Sequence, residues 1–160
     1  MKKLIIFISI AFFCETMIAQ AGPGVVTVPP QAVATAFAAR FPDAQVKKWS
    51  ESQQTWYTKF RWKGKKTSAY YAPDGSWKAT EVLMHWSWNL PENVKHALRH
   101  GDFAAWYIME ISKIETPDGL LYALHINNSP LLDSDHAQID HDELEIFYNE
   151  KGELVRKDQK

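Results

Sequence analysis

Two histidines, His96 and His100, stand four residues apart, the spacing at which one helix face can offer two imidazoles to a metal ion. Their neighbours favour a solvated face instead. His96 lies two residues from Val94, about 200° around a helix from it, on the side shared with Glu92, Lys95 and Arg99, and spacing places no third ligand. A second concentration of ligand atoms is the acidic loop at 128–142, where Asp133, Asp135 and Asp140 are the candidate calcium oxygens. An EF-hand wants an oxygen ligand at its fifth position and Gly at its sixth, and Ala137 and Gln138 stand there. Asp, Ser and Asn also populate surface loops simply because they cap and turn. A small-ligand or divalent-metal site in this loop is therefore the alternative reading, not the leading one.

Hydrolytic chemistry has less to stand on. Carboxylates are plentiful, but no nucleophile elbow, zinc-protease signature or Cys/His arrangement occurs, and Ser76 and Ser129 sit in turn contexts without a local motif. The chain is expected to be non-enzymatic and to need no cofactor. Recognition is the remaining chemistry, because seven Trp, six Tyr and eight Phe exceed what two short helices and a sheet need to bury. Most of these rings, Phe37, Phe60 and Phe147 among them, belong to the expected core. Along 56–62, alternation puts Trp56, Phe60 and Trp62 on one side and Tyr57, Lys59 and Arg61 on the other. Tyr57, Lys59 and Arg61 are the candidate binding residues, with Tyr71 and Trp86 as additions, since Trp, Tyr and Arg anchor protein interfaces. An ordinary wet strand face with snorkelling Lys and Arg stems is the competing account.

The elements that must position these side chains are legible. Pro30 suits a first helical turn, lacking an N–H that would be unpaired there. Val33, Ala36, Phe37 and Phe41 then form an apolar stripe at helical spacing, and Pro42 ends it. Strands are expected at 45–50, 56–62, 67–72 and 77–86, joined by turns at Lys63-Gly64 and Pro73-Asp74-Gly75. A second helix opens at Pro91, with Val94, Ala97 and Leu98 inward and Gly101 as a left-handed C-cap. Strands follow at 106–115, 120–127, 143–148 and 153–157.

The second set echoes the first. Leu90-Pro91-Glu92-Asn93-Val94 with Ala97-Leu98 answers Pro29-Pro30-Gln31-Ala32-Val33 with Ala36-Phe37, and Tyr148-Asn149-Glu150-Lys151-Gly152 answers Tyr71-Ala72-Pro73-Asp74-Gly75. The expected class is α+β: a tandem repeat of one helix plus four antiparallel strands, joined into one curved sheet with the helices on one face. Residues 29–88 and 89–160 would be the two copies of one packed unit.

The ends and the charge bound the setting. Lys2 and Lys3, an uncharged run from Leu4 to Phe13, and Ala19 and Ala21 have the three parts of a secretory signal over 1–21, with 22–28 as a mobile arm. A membrane span would need about 20 apolar residues, and Glu15 interrupts the run. Lipidation at Cys14 would want a small residue before it, where Phe13 stands. Cys14 is the sole cysteine, so the exported domain would have no disulfide, and the chain remaining is long enough for one core without a staple. Removing the leader leaves 16 basic against 18 acidic residues, which gives no basic footprint for nucleic acid.

These residues are similar to a known family, the PepSY-like periplasmic proteins of Bacteroidetes-type bacteria, which resemble the β-lactamase inhibitor protein in fold. The resemblance rests on Val28-Pro29 with Phe37, Phe41-Pro42-Asp43-Ala44 with Trp49, Asp74-Gly75-Ser76-Trp77 before Thr80-Glu81, and Leu90-Pro91 with Val94 and Ala97-Leu98. It covers nearly all of the chain beyond the leader. Departures are Gly101-Asp102-Phe103 in place of the Phe-Pro pair in the second copy, and the long 128–142 loop. The resemblance implies an exported, non-enzymatic module whose open sheet holds a protein or peptide, an exported peptidase or other enzyme being the implied partner class.

Overall fold

The computed structural model describes residues 28–128 and 142–159. The expected signal segment, the arm before Val28, and Asp133, Asp135 and Asp140 lie outside the described residues. Helix α1 (Gln31–Arg40) precedes strands β1 (Trp49–Ser52), β2 (Thr55–Trp62), β3 (Lys65–Tyr71) and β4 (Trp77–Met84). A 3-10 turn (Ser87–Asn89) leads to helix α2 (Glu92–His100) and strands β5 (Tyr107–Thr116), β6 (Gly119–Asn127), β7 (Glu143–Asn149) and β8 (Leu154–Gln159). All eight strands form one antiparallel sheet in chain order. The β4–β5 ladder, from Thr80↔Glu115 to Met84↔Ile111, makes the two groups of strands one surface.

Alternation decides what each face carries. The cross-strand row Phe60↔Thr67↔Val82↔Lys113↔Tyr122↔Tyr148 crosses from one group to the other. Phe60 packs in the cluster under α1, with Val33, Phe37, Phe41, Trp56 and Tyr71, while Tyr122 and Tyr148 pack under α2 with Val94, Leu124 and Ile146. Residues directly opposite one another share a face, so both helices lie on the same side of the sheet. The other side bears no described helix. Each fully buried Val, Leu, Ile or Phe contributes about 1.5–3 kcal/mol, so these two clusters hold the helices down.

Two turns lock the helices from below. Gly75 (φ +88) and Gly152 (φ +78) take the left-handed conformation, and a Cβ there would lie 2.7 Å from the Ala32 carbonyl oxygen and 2.4 Å from that of Asn93. Only glycine lets the strand turn approach the first helical turn this closely. The adjoining acceptors are polar: Asp74 Oδ1 accepts the Ser76 N–H at 2.8 Å, and Asn149 Oδ1 accepts those of Lys151 (3.0 Å) and Glu153 (3.1 Å).

Three local expectations need correction. The first strand is Trp49–Ser52, not 45–50, because Gln53 (φ 46) and Gln54 (φ 58) make the two-residue turn that sets Ser52 opposite Thr55. A glutamine pair carries no sequence mark for that turn. The fourth strand stops at Met84, and the chain bends at His85 into the 3-10 turn, so Trp86 is not on a strand. Gly101 is extended (φ −94), not left-handed. Its need for glycine is the Ala97 carbonyl oxygen, 2.5 Å from where a Cβ would stand.

Candidate functional site

The helix-free face carries three of the candidate residues, Tyr57, Lys59 and Arg61. Two-residue turns fix its register: Lys63 (φ 49) and Gly64 (φ 78) set Trp62 opposite Lys65, which puts Tyr57 opposite Tyr70, Lys59 opposite Ser68 and Arg61 opposite Lys66. The Tyr57 and Tyr70 rings stack, 6.0 Å apart at 24°, and the Tyr70 hydroxyl donates to Glu81 Oε2 at 3.0 Å. Glu81 stands opposite Ser68 on β4. Lys59 and Arg61 are exposed, and Arg61 is steadied by donating to the Gly64 carbonyl at 3.1 Å.

Beside these side chains runs an open groove of about 680 Å³. Lys47, Lys59, Arg61 and Lys66 line it on the β2–β3 side, and Glu81, Leu83, Glu110 and Ser112 on the β4–β5 side. It falls in the size range of binding clefts, about 300–1,000 Å³, but its lining is charged where a small-molecule pocket is mostly apolar.

Tyr71 does not belong to this face. It pairs with Trp56 and Trp77 on the helix side and is fully buried there, with its ring 6.4 Å from Phe37 and 6.4 Å from Trp49. Burial pushes its phenol up to about 12, opposed by the smaller effect of the Arg40 charge. Its neighbour Tyr70 is the face residue that sequence reasoning missed. The Lys63-Gly64 turn held the signal: counting pairs outward from it sets Tyr70 against Tyr57.

Trp86 is exposed but stands past the end of β4, stacked on Trp88 at 4.6 Å and 9°. Phe147 is buried as expected, yet on the helix-free face, in line with Ser112 and Ala123 and with the Arg156 guanidinium 4.0 Å above its ring. His96 and His100 are exposed with rings 4.5 Å apart. Among the described residues no group of three or more His, Cys, Asp or Glu is placed to hold a metal. Of the acidic loop, only the stem is described: Asn128 Nδ2 donates to Asp142 Oδ2 at 3.2 Å, and the Asp142 N–H donates to Asn128 Oδ1 at 2.9 Å. No described helix is long and apolar enough to cross a membrane.

No protein-family model and no curated protein matches the chain. Solved structures do. A protein of Bacteroides eggerthii assigned to the periplasm is 19% identical with a TM-score of 0.69, over 83% of this chain and 90% of its own. A BLIP-like protein of Bacteroides fragilis is 17% identical with a TM-score of 0.67, over 83% of this chain and 87% of its own. A DUF2874 family protein of Bacteroides ovatus is 19% identical with a TM-score of 0.69, over 83% and 89%. At these identities the likeness establishes a BLIP-like α+β fold, and fold alone does not set function.

Proposed function

We propose that this protein is an exported, non-enzymatic binding module that holds a protein or peptide segment against its helix-free face, over β2 to β5. The observation that carries this reading is the groove on that face, with Lys59, Arg61 and Lys66 along one wall and the Tyr57–Tyr70 stack beside it. Arg and Tyr are interface anchors, and charge along a groove steers a partner and fixes its register. The likeness to a BLIP-like protein adds support for protein capture in general. Export to the periplasm is supported by the signal-like composition of 1–21 and by the likeness to a protein assigned to that compartment.

Reading the chain as a PepSY-like tandem repeat is part of the same proposal. Its support is the pair of glycine turns, each pressed against the first turn of the preceding helix, at Ala32 and at Asn93, 61 residues later, as in the sequence echo.

Affinity capture from a periplasmic extract tests the function, comparing the native chain with a Tyr57→Ala/Arg61→Ala variant. A partner retained by the first and lost by the second supports the face as the docking surface. Identical partner lists would remove that face.

A further inference from the structure

The C-terminal end of α2 gathers metal-ligand chemistry on the helix side of the sheet, across from the groove. His96 and His100 are exposed there, with ring centroids 4.5 Å apart and planes tilted by 45°. At metal–nitrogen lengths of about 2.0–2.1 Å, an imidazole centre lies about 3.2 Å from the ion it binds. Two centres are then about 4.5 Å apart for ligands at 90° and about 5.2 Å apart for a tetrahedral pair. The observed spacing is that of neighbouring ligands in tetragonal coordination, the preference of Cu²⁺. The surroundings favour a cation. Because α2 ends at His100, the carbonyl end of its dipole, equivalent to about half a negative charge, lies beside the pair. Asp102 lines the same open depression of about 290 Å³ as both histidines and Tyr148, whose phenol is raised first by burial and then by the Asp102 charge. The helix's own cations are drawn the other way: Lys95 and Arg99 reach Glu92 at 2.7 Å and 3.4 Å, and Glu92 sits about 12 Å along the axis from His100.

We propose that His96 and His100 form a two-ligand surface site for a divalent transition-metal ion, with Cu²⁺ bound most tightly. Imidazole suits Cu, Ni and Zn, and Cu²⁺ heads the affinity order for a given set of nitrogen ligands. Calcium and magnesium want oxygen ligands and find only the Asp102 carboxylate nearby. Among the described residues no third His, Cys, Asp or Glu is placed to complete the set, so water fills the remaining positions and Asp102 acts through its charge. The solvated face on which the sequence puts these histidines is what an open site of this kind requires. Holding the second imidazole within reach of the first makes its coordination intramolecular, which adds affinity that a lone histidine lacks. The site uses nothing of the groove or of the 128–142 loop, so it stands apart from the capture of a protein segment.

Calorimetric titration with Cu²⁺ decides the matter, on purified chain that carries no affinity tag. The set is the native chain, the His96→Gln and His100→Gln variants, their double variant, and a His136→Gln/His141→Gln control for the loop histidines. The native chain is expected to bind Cu²⁺ with two imidazole nitrogens coupled to the ion in its electron paramagnetic resonance spectrum, and excess Ca²⁺ should not compete. Each single variant is expected to weaken binding about ten-fold or more, nearly as much as the double variant, while the loop control binds as the native chain does. Circular dichroism confirms the fold of each variant, and the single variants stand in for a double variant that does not fold. A native chain that binds no Cu²⁺ below the millimolar range overturns the proposal. So does a double variant that binds as the native chain does, or a loss confined to one of the two single variants. Binding that the loop control loses and the double variant keeps would overturn it as well.

Discussion

Under α1 the sheet is covered mostly by rings, and under α2 mostly by branched aliphatic chains, with Tyr122 and Tyr148 among them. Phe37 meets Phe41, Trp49 and Phe60 at centroid distances of 5.0–5.3 Å, whereas Val94 and Leu90 rest on Ile111, Leu124, Ile126 and Ile146. The order of elements is the same in both halves, and so is the glycine turn beneath each helix. What differs is whatever alternation permits to differ: core side chains of similar bulk, and the formal charge of the helix-free face, positive on β2–β3 and negative toward β8, where Glu110, Glu145 and Asp158 stand in one row. The backbone constraints therefore set the architecture, and side-chain choice sets what each half does with it.

The largest test of this comparison is truncation of one residue in each core. Phe37→Ala is expected to cost about 3–5 kcal/mol and Ile146→Ala about 2–5 kcal/mol, measured by urea unfolding. Edge-to-face pairs add about 0.5–1.5 kcal/mol each beyond area burial, so the ring core should lose more, and a larger loss at Ile146 would break the comparison. Next come the turns that the halves share. Gly75→Ala and Gly152→Ala should each cost on the order of 3 kcal/mol, from left-handed strain and overpacking together. Gly64→Ala, with the same sign of φ and nothing within 4 Å of its Cβ position, should cost about 1 kcal/mol. Equal losses at all three would show that the approach to the helix carbonyls is unimportant.

A smaller effect belongs to Tyr71, whose buried hydroxyl has no hydrogen-bond partner among the described residues. Tyr71→Phe is expected to raise stability by about 1 kcal/mol near neutral pH, by removing a desolvated polar group. It also has a pH signature. Burial raises the folded phenol to about 12 from an ordinary value of 10.0, so above pH 10 the unfolded chain releases its proton first and stability falls as pH rises toward 12. Tyr122 and Tyr148, in the other core, are raised by burial as well. Unfolding free energies measured from pH 9 to 12 should decline for the native chain and less steeply for Tyr71→Phe. The smallest effect is at Arg40, which reaches from α1 to Glu115 of β5 at 3.4 Å and lies 3.7 Å over the Trp77 ring. Arg40→Ala should cost about 0.5–1 kcal/mol, part of it lost in high salt.

Much of this was legible from residue order. Pro30 and Pro91 set the helix starts, and Lys63-Gly64 and Asp74-Gly75 set two turns. Strand alternation separated Trp56 and Phe60 from Tyr57, Lys59 and Arg61 as the structure does. Two kinds of information were not there. The Gln53-Gln54 turn lacks glycine, so β1 was placed several residues early. The choice between the alike neighbours Tyr70 and Tyr71, by contrast, could be read by counting pairs outward from the Lys63-Gly64 turn. The charge separation on the helix-free face needed the strand order of the whole sheet, which links Glu110 to Glu145 and Asp158 only after folding.

The central claim is that the helix-free face is the binding surface, and side-chain footprinting of a captured complex tests it most directly. Hydroxyl-radical labelling should be suppressed on Tyr57, Tyr70 and Leu83 when the partner is present, and unchanged on His96 and His100 of α2. Labelling that stays unchanged at Tyr57, Tyr70 and Leu83 while the α2 histidines become protected would contradict it.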